Sequence, residues 1–100
     1  MFTVDEVKYT LRFNEKKMDS IEMQTGKSLM AEFQQTSGLI PNFLLRAMFT
    51  TGLVEEEGNK PVNGQKAIDI FDKVKEENGY KATVLATINK FTEDMGFMFR

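Results

Sequence analysis

Capping residues and glycines divide the stretch from Arg12 to Leu53 into short segments, and this division constrains the fold more than any other feature. Asn14 can cap a helix through its side-chain oxygen, and Gly26 can end that helix in the left-handed conformation. A later helix can begin at Pro41, where the missing N–H is not needed, and close at Gly52. The stretch therefore predicts a compact unit of short helices, with the rest of the chain packed around it.

Residues 2–13 alternate apolar and polar side chains, which is the period of a β-strand. Asp5 and Glu6 fall where a hairpin turn would lie, although neither is the glycine that such turns favour. We expect a hairpin, with a single strand as the alternative. Either would have to lie on helices, because an isolated hairpin is only marginally stable. The apolar positions are Phe2, Val4, Val7, Tyr9, Leu11 and Phe13.

The second half of the chain predicts two amphipathic helices joined at Asn78-Gly79, which should form an antiparallel hairpin. The first helix starts at Gly64, and its inward positions are Ala67, Ile70, Phe71 and Val74. The second ends at Gly96, and its predicted inward positions are Val84, Leu85, Ile88, Phe91 and Met95. The acidic, glycine-containing segment 55–61 that precedes them predicts a solvated loop.

These patterns predict an α+β, mostly α fold for a single domain over residues 1–100, a length that suffices for one hydrophobic core. The domain would comprise a strand or hairpin over 1–13, a helical unit over 14–53 and a helical hairpin over 64–96. About five short helices would pack as one small bundle.

Composition argues against several classes of function. The chain has no cysteine for a disulfide or a thiolate metal site, and no histidine, the commonest general base. We therefore expect no enzyme activity, no catalytic residue, no metal and no cofactor. The net charge of −2 comes without a basic block, which argues against nucleic-acid binding. No apolar run approaches the ~20 residues of a membrane span and no signal peptide is evident, so we expect a cytoplasmic protein.

The helix that starts at Pro41 is apolar nearly all round, with Arg46 as its single charge. Such a helix is either central in the core or half-exposed for a partner. The chain also closes on three large apolar residues before Arg100, which either dock onto the domain or are offered to a partner. The predicted partner-binding residues are Phe43, Leu45, Met48, Phe49, Phe97, Met98 and Phe99.

Gly26-Lys27-Ser28 has the letters of a phosphate-binding loop but not its context. The upstream glycine is missing, and a helix precedes the segment where a strand is required. Ser28 can instead cap a short helix that begins at Leu29. The segment is best interpreted as a joint between two helices.

Four short motifs follow one another along the first half of the chain, namely Phe13-Asn14, Ile21-Glu22, Thr25–Leu29 and Thr51–Leu53. Their order and spacing resemble the tail assembly chaperones of long-tailed bacteriophages, in particular those of phages and prophages of Gram-positive bacteria. That family typically opens with a strand or hairpin, followed by an Ile/Leu-Glu-x-x-x-Gly-Lys-Ser-Leu segment, a helix ending in Gly-Leu and two amphipathic helices. The closing segment Asp94–Arg100 also resembles the ends of such proteins.

This resemblance implies a non-enzymatic protein of the bacterial host cytoplasm that is absent from the mature virion. It implies binding to the long, apolar, helical tape measure protein, and recruitment of tail tube subunits. A longer frameshifted form of the chain and self-association are also implied. The alternatives are a structural tail component, such as a tail-completion or connector subunit, or another small protein-interaction domain. A DNA-binding regulator built around Pro41 is disfavoured by the neutral charge of residues 1–50.

Overall fold

The computed structural model describes residues 2–35 and 40–99, so the break predicted at Thr36–Gly38 lies outside it. Within these ranges four strands and five α-helices are present, followed by a short 3₁₀ helix at Gly96–Phe99. This confirms the predicted α+β, mostly α fold. In chain order the elements are β1 (Phe2–Val4), β2 (Val7–Leu11), α1 (Glu15–Thr25), α2 (Leu29–Gln35), α3 (Asn42–Gly52), β3 (Leu53–Glu55), β4 (Lys60–Pro61), α4 (Gly64–Asn78) and α5 (Tyr80–Met95).

The N-terminal hairpin is confirmed, with Val4 opposite Val7 on either side of a two-residue turn. Both turn residues adopt positive φ, 49° at Asp5 and 68° at Glu6. Such two-residue turns match the twist of the flanking strands but favour glycine or asparagine. The tight turn therefore stores backbone strain that the rest of the sheet must offset.

The predicted loop over 55–61 in part belongs to the sheet, which corrects the sequence interpretation. Leu53 pairs with Leu11, and β3 in turn pairs with β4, so the antiparallel strand order is β1-β2-β3-β4. Only Leu53 and Val54 signal this strand, and two apolar residues are too few to show a period of two. Strand β3 is instead stabilised by its pairing with β2, which is distant in sequence, because local strand propensity alone is too weak to form it.

Helix α3 occupies the centre of the domain and packs against α1, α4, α5 and β2. Its Phe49 ring lies 5.3 Å from the ring of Phe71 on α4. A second aromatic pair joins Phe13 to Phe91 on α5, with ring centroids also 5.3 Å apart. The inward positions predicted for α4 are all buried, namely Ala67, Ile70, Phe71 and Val74.

Helix α5 is rotated relative to the prediction. Leu85, expected inward, is 49% exposed, whereas Thr83 and Thr87 are buried. Their hydroxyls donate to the backbone carbonyls of Gly79 and Thr83 respectively, both at 2.8 Å. A threonine bonded to its own helix can enter a core without leaving a polar atom unpaired. The remaining predicted positions Val84, Phe91 and Met95 are buried, and Ile88 packs against the core.

The motif residues around α1 form the predicted joint. The Asn14 side chain accepts a hydrogen bond from the backbone N–H of Lys17 at 2.8 Å, and Gly26 ends α1 with φ 67°. Beyond this turn, Glu22 Oε2 accepts a hydrogen bond from the backbone N–H of Leu29 at 2.9 Å. Glu22 therefore fixes the start of α2 relative to α1, which gives the Glu-x-x-x-Gly-Lys-Ser-Leu segment a structural role.

Candidate partner-binding surface

Three of the predicted partner-binding residues are buried, and the expectation that they are accessible is corrected. Leu45 and Met48 are fully buried, and Phe49 is 2% exposed. The reason is the central position of α3, which has packing neighbours on several sides. An all-round apolar helix in that position contributes to the core, and these three side chains have no free area to offer a partner.

Phe43 differs from the rest of its helix because it lies in the first turn of α3. Its side chain is 42% exposed. It borders a shallow cleft between α1, α3 and α4, whose lining includes Thr25, Ala47 and Ile68. Phe43 is therefore accessible, and the cleft beside it is partly apolar.

Phe97 is also accessible, with 54% of its side chain exposed. It borders a second shallow cleft, where the first turn of α1 meets the end of α5 and whose lining includes Lys16 and Met95. Met98 turns the other way and packs against the core. The terminal segment therefore partly docks, while Phe97 projects. The side chain of Phe99, also predicted to bind a partner, falls outside the described part of the structure.

Phe97 and Phe43 lie beside opposite ends of α1, since one cleft includes residues 15–16 and the other residues 24–25 of that helix. Met23 projects from α1 itself and is 86% exposed. We refer to Met23, Phe43 and Phe97 as the α1 surface. Sequence reasoning missed Met23, although its position two residues after the buried Ile21 places it on the opposite side of the helix.

Charged residues separate the apolar members of the α1 surface. Lys16 and Asp19 are exposed on α1 and lie on one stripe of the helix with Met23, since Asp19 follows Lys16 by three residues and precedes Met23 by four. Apolar side chains that stand apart between charges do not form one large hydrophobic patch. The surface thus offers separate apolar anchors together with charges of both signs.

A carboxylate fixes the position of the segment that carries Phe97. Asp94 Oδ2 accepts the backbone N–H of Phe13 at 2.8 Å, and Oδ1 accepts Lys90 Nζ at 2.8 Å. The first contact joins the end of α5 to Phe13, in the short connection between β2 and α1. Charge-assisted hydrogen bonds of this kind are short and directional. Phe97 therefore projects from an anchored segment beside α1.

Lys17 lies close to this network, and its pKa is shifted by its surroundings. Its Nζ donates to the backbone carbonyl of Arg12 at 2.9 Å. Burial lowers the pKa of Lys17, and the nearby charge of Asp94 opposes that shift. The ammonium is thus held by a structural hydrogen bond at the junction of β2 and α1.

The part of the chain described by the structure contains no group of three or more acidic side chains arranged to hold a metal ion. None of its helices combines the length and the apolarity needed to span a bilayer.

Comparison with known proteins gives no assignment: the chain matches no protein-family model, no curated protein and no solved structure. The likeness to tail assembly chaperones therefore depends on the order and spacing of the motifs alone.

Proposed function

We propose that the chain is a phage tail assembly chaperone that acts in the cytoplasm of the bacterial host. It binds the tape measure protein, keeps it soluble and helps to recruit tail tube subunits, and it is not retained in the virion. The support from sequence is the order of motifs along nearly the whole chain, from Phe13-Asn14 to the closing segment. A frameshifted longer form would share this domain and its partners.

The α1 surface is the observation that supports this proposal best. A client helix with an apolar stripe would place large side chains at spacings of three, four or seven residues, and helix recognition commonly uses such anchors. Met23, Phe43 and Phe97 provide separate apolar contacts for them. Methionine is unbranched and polarisable, so Met23 can adapt to different side chains along a repetitive client.

The charges between the anchors fit the same role. A chaperone must expose apolar contacts without aggregating, and isolated apolar side chains among charges meet both requirements. Lys16 and Asp19 carry opposite signs, so the surface does not select for client charge. Binding would then depend on apolar pattern, as expected for a protein that follows a long helical client.

The test is co-expression with the tape measure protein encoded by the same phage or prophage. The variant Met23→Gln/Phe43→Gln/Phe97→Gln changes only exposed side chains, so circular dichroism should show an unchanged fold. We expect the wild-type chain to hold the tape measure protein in the soluble fraction and the triple variant to lose most of it. Leu85→Gln is the matched control, because it changes an exposed apolar residue on α5 and should retain the activity. A triple variant that solubilises its client as well as the wild type contradicts the proposal.

Mass spectrometry of purified virions separates this role from that of a structural tail subunit. A chaperone should be absent from intact particles, whereas a tail-completion or connector subunit should be present in a fixed ratio to the tube protein. Detection at such a ratio would refute the chaperone role even if co-expression improved solubility.

A further inference from the structure

The dipeptide Asn-Gly occurs twice in the chain, once at each end of α4. Asn63-Gly64 opens the helix, and Asn78-Gly79 closes it. This dipeptide is chemically labile, because glycine has no side chain to shield its backbone nitrogen from the amide carbon of the preceding asparagine. The other asparagines precede larger residues, in Asn14-Glu15, Asn42-Phe43, Asn59-Lys60 and Asn89-Lys90. The two Asn-Gly steps are therefore alike in sequence, and only the fold distinguishes them.

The step at Gly79 is held by the hydrogen bonds of the two helices that it joins. Its N–H donates to the carbonyl of Lys75 at 2.8 Å, and its carbonyl accepts both the backbone N–H and the hydroxyl of Thr83, at 3.1 and 2.8 Å. The Asn78 side chain is also engaged, since Nδ2 donates to the carbonyl of Val74 at 2.9 Å. Attack by the Gly79 nitrogen on Asn78 would therefore break hydrogen bonds at both reacting groups and unwind the end of α4.

The step at Gly64 lacks these restraints. Asn63 has an extended backbone, with φ −122° and ψ 167°, and lies just outside α4. Its side chain and the Gly64 N–H have no hydrogen-bond partner among the residues that the structure describes. An unpaired N–H is expected there, since the first N–H groups of a helix have no intrahelical acceptor. Both residues are exposed, and a Cβ atom built at Gly64 would meet no other part of the fold within 4 Å.

We propose that Asn63 is a site of spontaneous deamidation, with the backbone nitrogen of Gly64 as the nucleophile and water as the co-reactant. The Gly64 N–H gives its proton to hydroxide, and the nitrogen forms a bond to Cγ of Asn63. The Cγ–Nδ2 bond breaks, and the leaving nitrogen takes a proton from water to depart as ammonia. Water then opens the succinimide ring at either of its two carbonyl carbons, which yields aspartate or isoaspartate. No group is oxidised or reduced.

The fold accommodates the product of this reaction. The first turn of α4 contains no acidic residue, so a new carboxylate beside it would interact favourably with the positive end of the helix dipole. Asn63 borders a shallow cleft whose lining includes the polar side chains of Ser20 and Thr51. The reaction adds one negative charge to a chain whose net charge is −2. An ageing population of the protein should therefore become heterogeneous in charge while its core stays intact.

Incubation of the folded full chain at mildly alkaline pH, followed by peptide mapping with tandem mass spectrometry, tests this assignment. We expect aspartate and isoaspartate to accumulate at Asn63, at a rate that rises with hydroxide concentration because the Gly64 N–H must lose its proton. The rate at Asn78 should be at least about tenfold lower, since its reaction requires hydrogen bonds at both reacting groups to open. Ion-exchange chromatography should resolve the modified chain by its additional charge.

Substitutions at the two steps provide the controls. Asn63→Gln should remove most of the acidic species, because the longer side chain would have to close a larger ring. Asn78→Gln is the matched control, since it makes the same change at the other Asn-Gly step and should leave the rate unchanged. In urea-unfolded chain the two steps should react at similar rates, because the hydrogen bonds that distinguish them are gone.

Equal rates at the two steps of the folded chain would overturn the inference, as would an Asn63 that stays intact while the urea-unfolded chain reacts. A preference for Asn63 that persists in urea would assign the selectivity to local sequence and would overturn the structural argument as well. The inference does not depend on the proposed function, because the reaction needs no partner and alters none of Met23, Phe43 and Phe97.

Discussion

Replacing Gly52 with alanine tests whether the motif around the end of α3 is required for close packing. A Cβ atom built at Gly52 would lie 2.7 Å from two ring carbons of Phe13, well inside van der Waals contact. The ring cannot simply swing away, because Phe13 is 6% exposed and packs edge-on against Phe91 at 5.3 Å. The backbone N–H of Arg12 also donates to the carbonyl of Gly52 at 2.9 Å, which holds the two segments together.

The expected effect is a net loss of stability. Inserting a methyl group into a packed site typically costs about 1–3 kcal/mol. Alanine regains up to about 1 kcal/mol of helix propensity, less at the last residue of a helix. We therefore expect Gly52→Ala to lower the free energy of unfolding by about 1–2 kcal/mol. For a domain of this size that corresponds to a fall in Tm of about 4–8 °C per kcal/mol. Urea and thermal denaturation followed by circular dichroism measure both quantities.

Two comparisons make this result specific. Gly96 has helical φ and open space around it, so Gly96→Ala should leave stability unchanged or slightly raised. In a Phe13→Leu background the obstructing ring is gone, and the penalty of Gly52→Ala should shrink, as coupling between residues in contact requires. A Gly52→Ala protein with wild-type Tm, or an equal penalty in both backgrounds, would refute the close-packing argument.

Two further predictions concern the hairpin turn and Lys17. Glu6→Gly should raise stability by about 0.5–1 kcal/mol in urea denaturation, because Glu6 has φ 68° and glycine adopts positive φ without strain. Glu6→Gln removes the same charge but keeps the strain, so an equal gain from it would contradict this explanation. Burial lowers the pKa of Lys17 in the folded chain below the unfolded value of about 10.4. Between these two pKa values the unfolded chain binds more protons than the folded chain, so the free energy of unfolding should rise with pH in that window. Lys17→Met should abolish the rise, and a rise that persists in Lys17→Met would assign it to another group.

The parts of the fold that the sequence predicts well depend on local chemistry. Asn14 caps α1 and Gly26 ends it because each acts on backbone groups a few residues away. The hairpin over residues 2–11 also follows from a local period of two. Such features need no knowledge of what packs against them.

The parts of the fold that were predicted wrongly from the sequence depend on tertiary contacts. Strand β3 exists because Leu53 pairs with Leu11, a contact between segments far apart in sequence. The same limit applies to the candidate site. An all-round apolar α3 gives no periodicity from which to choose a face, so Leu45, Met48 and Phe49 could not be distinguished from Phe43 before their neighbours were known.

Helix α5 shows that side-chain polarity alone does not decide which face of a helix is buried. Leucine buries more apolar surface than threonine, so placing Thr83 and Thr87 inward and Leu85 outward gives less hydrophobic stabilisation than the reverse arrangement. The Thr83 hydroxyl bonds to the carbonyl of Gly79, the residue that links α4 to α5, and the Thr87 hydroxyl bonds to the carbonyl of Thr83, so neither buried hydroxyl is left unpaired. The exposure of Leu85 therefore could not be predicted from side-chain polarity, because the local hydrogen bonds that allow the two threonines to be buried are not visible in the hydrophobic pattern.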